Sequence, residues 1–284
     1  MAEGQLMKGR RGLVMGVAND HSIAWGIARA IHAQGGDVAF TYQGDAQLRR
    51  LKPLAGSIKS QIMMPCDVED DAQIDAVFDT LRRAWGGIDF VVHAVAFSDR
   101  AELKGRYVET SRKNFVSSLS ISCYSFTAVA QRALKLMKPG GALLTLTYLG
   151  SQKVTPNYNV MGVAKAGLEA SVRYLAADLG RDGIRVNAIS AGPMRTLAGS
   201  VISESRSVFR WNKHHSPLRK TIEHEHVGHA AVYLLSDMSS GVTGEIHFVD
   251  AGFNIVSMPS STELASYVAA GEGEESGEKV HAPA

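Results

Sequence analysis

The chain has 284 residues, of which 45% are apolar and 20% charged, and its formal net charge is +2. A charge this small on scattered basic residues argues against a nucleic-acid partner, with Arg49, Arg50 and Lys52 forming only a solvated helix face. No apolar run is long enough to span a bilayer, and the first residues lack the apolar stretch of a signal peptide, so no membrane role and a cytoplasmic location are expected.

Short apolar runs suited to strands fall at 12–16, 37–42, 60–64, 88–93, 142–147, 184–189 and 245–249, with helix-like stretches at 22–34, 45–51, 70–84, 114–136, 158–179 and 224–235. Near-continuous apolar strands are those of a parallel sheet covered on both faces. Their alternation with helices predicts an α/β, Rossmann-type doubly wound parallel sheet of about seven strands with helices on both faces. Residues 1–258 read as one dinucleotide-binding and catalytic domain without internal repeats. Residues 259–284 read as a C-terminal extension, and its polar, small-residue end is expected to be disordered.

The first strand runs into GVANDHSIAWG, residues 16–26. Gly16 suits a tight turn, Ser22 a helix cap that also donates to phosphate, and Gly26 close packing of helix on sheet. The middle glycine of G-x-G-x-x-G is missing, and most such turns are structural, so the loop alone is a weak signal. Gln43 ends the second strand where Asp or Glu commonly holds ribose hydroxyls or Arg a 2′-phosphate, and as a neutral residue it leaves NAD against NADP open. Asp45 nearby could serve as a ribose ligand, but reads better as the cap of the next helix. Asp67, after the third strand, either accepts from an adenine amino group with Val68 against the ring or caps the following helix; both readings stand. The fourth strand ends HAVAF, small residues that leave room for a flat cofactor, with His93 packed in the strand.

Neither Cys66 nor Cys123 belongs to a Cys-x-x-Cys pair, so both read as buried free thiols. The histidine-rich IEHEHVGHA fails the His-Glu-x-x-His pattern, since Gly228 stands where the second histidine is needed, and no metal site is expected. Residues 114–131 carry no charge, and 160–172 carry only Lys165 and Glu169. Helices this poor in charge are buried on more than one side, within one chain or against another subunit.

The stretch YNVMGVAK places Tyr158 and Lys165 seven residues apart, nearly two helical turns, so both leave from one face. A lysine ammonium beside a phenol favours the phenolate and is expected to lower the tyrosine pKa. The alternative is an amphipathic helix with a buried tyrosine and a snorkelling lysine.

Tyr-x6-Lys with a glycine loop at the first β-α turn resembles the short-chain dehydrogenase/reductase superfamily, whose usual spacing is Tyr-x3-Lys. The longer spacing, with GVANDHSIAWGIA, FTYQGD, CDV, TYLGSQKVTPNYNVMGVAKAGLEASVRYLAADLG, RVNAISAGPMRTLA and SSGVTGEIHFVDAGF in order across residues 10–255, is similar to the bacterial NADH-dependent enoyl-[acyl-carrier-protein] reductases. The resemblance implies that Tyr158 hydrogen-bonds a thioester carbonyl and stabilises the enolate, that Lys165 holds the nicotinamide ribose, and that Tyr148 stands near the acyl chain. It implies cofactor contacts at Gly16, Ser22, Ile23, Gln43, Asp67, Val68, Val95, Met194, Thr196 and Ala198. Substrate contacts are implied at Ser98, Met161 and Leu197, under a covering segment over 197–209. The run AVAFS at strand four departs from the serine-isoleucine-glycine-phenylalanine-alanine run frequent in the family. NADH as cofactor with NADPH not excluded, an enoyl thioester on acyl carrier protein as partner, and a homotetramer are further implications. A ketoacyl or other carbonyl reductase and a non-catalytic dinucleotide sensor are the alternatives.

Overall fold

The computed structural model describes residues 4–194 and 205–258. Its strands are β1 (Arg11–Met15), β2 (Asp37–Tyr42), β3 (Met63–Pro65), β4 (Ile88–His93), β5 (Met137–Thr147), β6 (Arg185–Ala191) and β7 (Ile246–Val249). They form one sheet in the order β3-β2-β1-β4-β5-β6-β7, and every pairing is parallel. The helices are α1 (Ile23–Ala33), α2 (Gly44–Ser57), α3 (Asp71–Trp85), α4 (Arg112–Leu119), α5 (Ser125–Leu134), α6 (Val160–Leu179), α7 (Ser205–His215) and α8 (His224–Leu235).

Side-chain alternation divides the apolar residues of each central strand between two cores. Val14, Phe90, Val92, Leu144 and Ile189 face α1 and α8, while Leu13, Met15, Val91, Leu143 and Val186 face α3, α5 and α6. Because both faces are covered, these strands have no polar side to show, and each fully buried Leu, Ile or Phe contributes about 1.5–3 kcal/mol. The α1–α8 contact depends on two glycines. A Cβ on Gly26 would stand 2.7 Å from the Cβ of His224, and one on Gly228 would stand 2.8 Å from that of Ala30. Gly26 therefore serves helix-on-helix packing rather than the expected helix-on-sheet contact.

Several boundaries differ from the sequence reading for identifiable reasons. β3 is a three-residue strand at the sheet edge, where Pro65 costs no ladder bond. α2 runs through Pro53 to Ser57, held by the buried Leu51 and Ala55, and its N-cap is Gln43 rather than Asp45. α3 is capped by Asp70, whose carboxylate accepts from the N–H groups of Ala72 and Gln73, and not by Asp67. The expected helix over 114–136 is interrupted by one π turn, Ser120–Tyr124. That turn carries Ser122 to Phe97, where its hydroxyl accepts the backbone N–H and donates to the carbonyl, both at 3.0 Å. Cys66 is buried and Cys123 half-buried, and both are free thiols.

Among the described residues no helix is long and apolar enough to cross a membrane, and no three His, Cys, Asp or Glu side chains form a group able to hold a metal ion. In the histidine-rich stretch, His226 accepts the N–H of Glu223 at 2.9 Å as part of a capping box for α8. His224 meets the carbonyl of His21 at 2.8 Å.

Candidate active site

The strand order reverses between β1 and β4, and there the carboxyl ends of the strands open a crevice, the usual ligand position in open α/β sheets. The crevice is a cleft of about 860 Å³ that runs from Gln43, past the end of β1, to Tyr148 and Tyr158, with Val208 and Phe209 of α7 on its rim. Gly16 stands at its centre with φ +94°. A Cβ there would collide with the carbonyl oxygen of Ala94, so only glycine permits the close approach of the β1 and β4 loops.

Ser22 occupies the N-cap position of α1 but does not cap it. Its hydroxyl turns back on the loop and accepts the N–H groups of Ala18 and Asn19, at 3.0 and 3.1 Å. The start of α1, with Ile23 and Ala24 on the cleft wall, is thus left without a side-chain cap and keeps its partial positive charge toward the cleft. At the far end the Gln43 carboxamide donates to Asp67 at 3.0 Å. Gln47 accepts the Gln43 N–H at 2.7 Å and donates to the Val17 carbonyl at 2.7 Å, tying the β2 end to the β1 loop. Gln43 lines the cleft, whereas Asp67 stands behind it as its hydrogen-bond partner and Val68 packs against the α3-side core. Val95 and Met194 line the cleft; Thr196, Leu197 and Ala198 lie outside the described residues.

At the other end Tyr148, Tyr158, Met161, Lys165 and Ser98 are brought together. The rings of Tyr148 and Tyr158 meet edge to face, 5.1 Å between centroids with planes at 71°. Tyr158 is not on the helix with Lys165. It sits in a turn, and α6 begins only at Val160 after the N-cap Asn159. Lys165 is buried in α6 and donates from Nζ to the carbonyl of Leu146 at 2.8 Å.

The electrostatics differ from the sequence expectation. Burial, then Tyr148, then Glu169 push the Tyr158 phenol above its ordinary value, so it stays protonated. Burial also raises Tyr148, opposed by a hydrogen bond with Thr155. Desolvation draws Lys165 down to about 8, opposed by Cys123 and Glu169. Loss of water around the phenol favours its neutral form, the opposite of the expected depression.

Glu169 is the functional neighbour that pattern reading undervalued. It is buried one turn beyond Lys165, accepts from Thr147 at 2.8 Å and from Gln152 at 3.1 Å, and also takes the Ser151 hydroxyl. Its signal was present: with Lys165 it is one of two charges in an otherwise apolar helical stretch. Thr145 spends its hydroxyl on the carbonyl of His93 at 3.0 Å. His93 lies buried between Ser125 and Thr145, 2.8 and 3.3 Å away. Burial, and then Lys165, hold it neutral with a pKa of about 3. Ser98 donates to Asn114 at 3.2 Å and accepts from Ser118 at 2.9 Å, so its hydroxyl serves a buried polar network at the cleft wall.

Comparison with known proteins bears directly on this cleft. The family model described as Enoyl-(Acyl carrier protein) reductase matches residues 16–254. The chain is 62% identical over 259 residues to the enoyl-[acyl-carrier-protein] reductase [NADH] 2 of Rhizobium meliloti, covering 91% of this chain and 97% of that one. A crystal structure of the Anaplasma phagocytophilum reductase in complex with NAD superposes with a TM-score of 0.87 at 54% identity, covering 92% of this chain and 98% of that one. The Bacillus cereus enoyl-acyl carrier protein reductase, solved with NADP+ and indole naphthyridinone, gives 0.88 at 50% identity, covering 89% of this chain and all of that one. A doubly wound sheet, a cleft at its switch point and matches spanning nearly the whole of both partners place this chain in the enoyl-(acyl carrier protein) reductase family.

Proposed function

We propose that the protein is an NADH-dependent enoyl-[acyl-carrier-protein] reductase that saturates the trans-2 double bond of an acyl thioester, the last reductive step of fatty-acid elongation. The observation that carries the mechanism is the placement of the Tyr158 phenol at the cleft end, edge to face with Tyr148 and with Lys165 lining the same cleft.

The residues of the cleft suit a dinucleotide. The uncapped start of α1 and the bare Gly16 suit a pyrophosphate, and Gln43, tied to Asp67, suits an adenosine end. A neutral carboxamide at that position rejects neither a ribose hydroxyl nor a 2′-phosphate, so the preference for NADH rests on the relatives. NADH, when bound, supplies the hydride to the β-carbon.

Negative charge then develops on the thioester oxygen, separated from the carbon receiving hydride by the α-carbon and the carbonyl carbon, and a fixed donor is needed there. Tyr158 supplies that donor as a neutral phenol. Lys165 would hold the nicotinamide ribose, and Glu169 braces the end of β5 through Thr147 and Ser151. Tyr148 and Met161 flank the acyl chain. A carbonyl reductase places a free hydroxyl beside the tyrosine, whereas Thr145, Thr147 and Ser151 all spend theirs on His93 or Glu169.

The exposed Arg210 and Lys213 follow the cleft residues Val208 and Phe209 on α7 and suit the phosphate of a carrier-borne pantetheine arm. Tyr124, Val163 and Tyr174 leave an exposed apolar face along the π turn and α6, which suits packing of further copies into a homotetramer. A cytoplasmic location follows from this role. NADH oxidation with a trans-2-enoyl thioester beside a 3-ketoacyl thioester tests the reading: turnover of the enoyl substrate alone is expected, and turnover of the keto substrate alone sinks it.

A further inference from the structure

The geometry points to Asn159 as the residue that positions Tyr158, through a carboxamide clamp on the loop after β4. Asn159 has φ +38° and ψ −123°, and Asn157 has φ +59°. Tyr158 is therefore strung between two residues on the side of φ that favours glycine and that asparagine tolerates better than other side chains. Such a backbone persists only where its surroundings hold it.

The hold is explicit. Asn159 Nδ2 donates toward the carbonyl oxygens of Glu102, Leu103 and Gly105, at 3.3, 3.2 and 3.3 Å. An amide nitrogen carries two protons, shared here among three acceptors, and an oxygen in its place would face three carbonyls without a proton. The receiving loop is itself anchored. The Glu102 carboxylate accepts the N–H and the hydroxyl of Ser111, both at 2.8 Å, at the start of α4. Leu103 lines the cleft and packs with Val160 and Met161, and the Tyr158 ring lies against the same cluster. The clamp thus ties the tyrosine turn to the wall of the substrate end, although Asn159 itself touches no reacting atom.

This inference rests on Tyr158 being the donor to the thioester oxygen, so the test runs Asn159→Gly, Tyr158→Phe and the double variant beside the wild-type protein. Glycine accepts the backbone conformation and removes only the clamp. Asn159→Gly is expected to lower kcat with the enoyl thioester about tenfold or more. The KM for NADH and the melting temperature should stay close to wild type. In the Tyr158→Phe background the same change should have little further effect, because no phenol remains to be placed. Loss in Tyr158→Phe with an unchanged kcat in Asn159→Gly overturns the inference alone. So does a fall in kcat that tracks lost NADH affinity and lost stability, or one that persists in full in the double variant. Wild-type turnover by Tyr158→Phe overturns the donor assignment and the clamp's purpose together.

Discussion

Lys165 Nζ donates a hydrogen bond to the carbonyl of Leu146 at 2.8 Å, pinning the first turns of α6 to the end of β5. The buried carboxylate one turn on, Glu169, is committed to Thr147, Ser151 and Gln152. The lysine charge is therefore taken out of water with one neutral partner, and its fall from 10.5 to about 8 records that cost.

Replacing Lys165 by Met should stabilise the cofactor-free protein at neutral pH. Below about 8 the folded chain carries the full penalty of a buried ammonium, on the order of 3 kcal/mol for this fall. Between about 8 and 10.5 the folded lysine is neutral while the unfolded one is still charged, so wild-type stability rises with pH through that window. Allowing about 1 kcal/mol for the lost bond to Leu146, Lys165→Met should be more stable at pH 7 by about 1–2 kcal/mol. The advantage should disappear above pH 10.5, as urea titrations at several pH values will read. A Met variant less stable than wild type at pH 7 would contradict this account.

The pH dependence of turnover should carry the same signature. With Tyr158 held protonated and Lys165 titrating near 8, kcat/KM should fall as pH rises through about 8, without a phenol ionisation in the neutral range. In Lys165→Arg, whose guanidinium stays charged, that limb should be absent whatever the residual rate. A limb of the same pKa in both proteins would assign it to another group.

Gly150 should prove intolerant of a side chain. A Cβ there would stand 2.5 Å from Cδ1 of Tyr158 and 3.2 Å from Cδ1 of Tyr148. Since a misplacement of about 1 Å can cost about a hundredfold in rate, Gly150→Ala should lower kcat by about ten- to a hundredfold. The overpacking cost in stability should be only about 1–3 kcal/mol. Steady-state kinetics beside thermal melts will separate the two effects, and an unchanged kcat would show that the tyrosine ring is free to move aside.

The sheet was legible in the sequence because its central strands are covered on both faces and so read as unbroken apolar runs. Elements at the edge were less so: β3 is short and ends in Pro65, and α2 passes through a proline that local rules treat as a stop. Gly16, Gln43 and Lys165 could be placed at the cleft from their positions after strands, and Tyr148 from the family resemblance alone. What no spacing could show was direction. Ser22 turns its hydroxyl to the loop, Asp67 stands behind Gln43, and Tyr158 leaves from a turn rather than from the helix of Lys165. The expected depression of the phenol pKa failed for the same reason, since it assumed a shared helical face and ignored desolvation. Two asparagines flanking the tyrosine were the visible trace of that turn.

The central claim is that the neutral phenol of Tyr158 donates to the thioester oxygen as hydride reaches the β-carbon. Single-turnover oxidation of saturating NADH by a trans-2-enoyl thioester, in wild type and in Tyr158→Phe, tests it most directly. The account predicts a fall in the hydride-transfer rate of about 10²–10³ with NADH affinity preserved. A Tyr158→Phe protein that transfers hydride at the wild-type rate would contradict it.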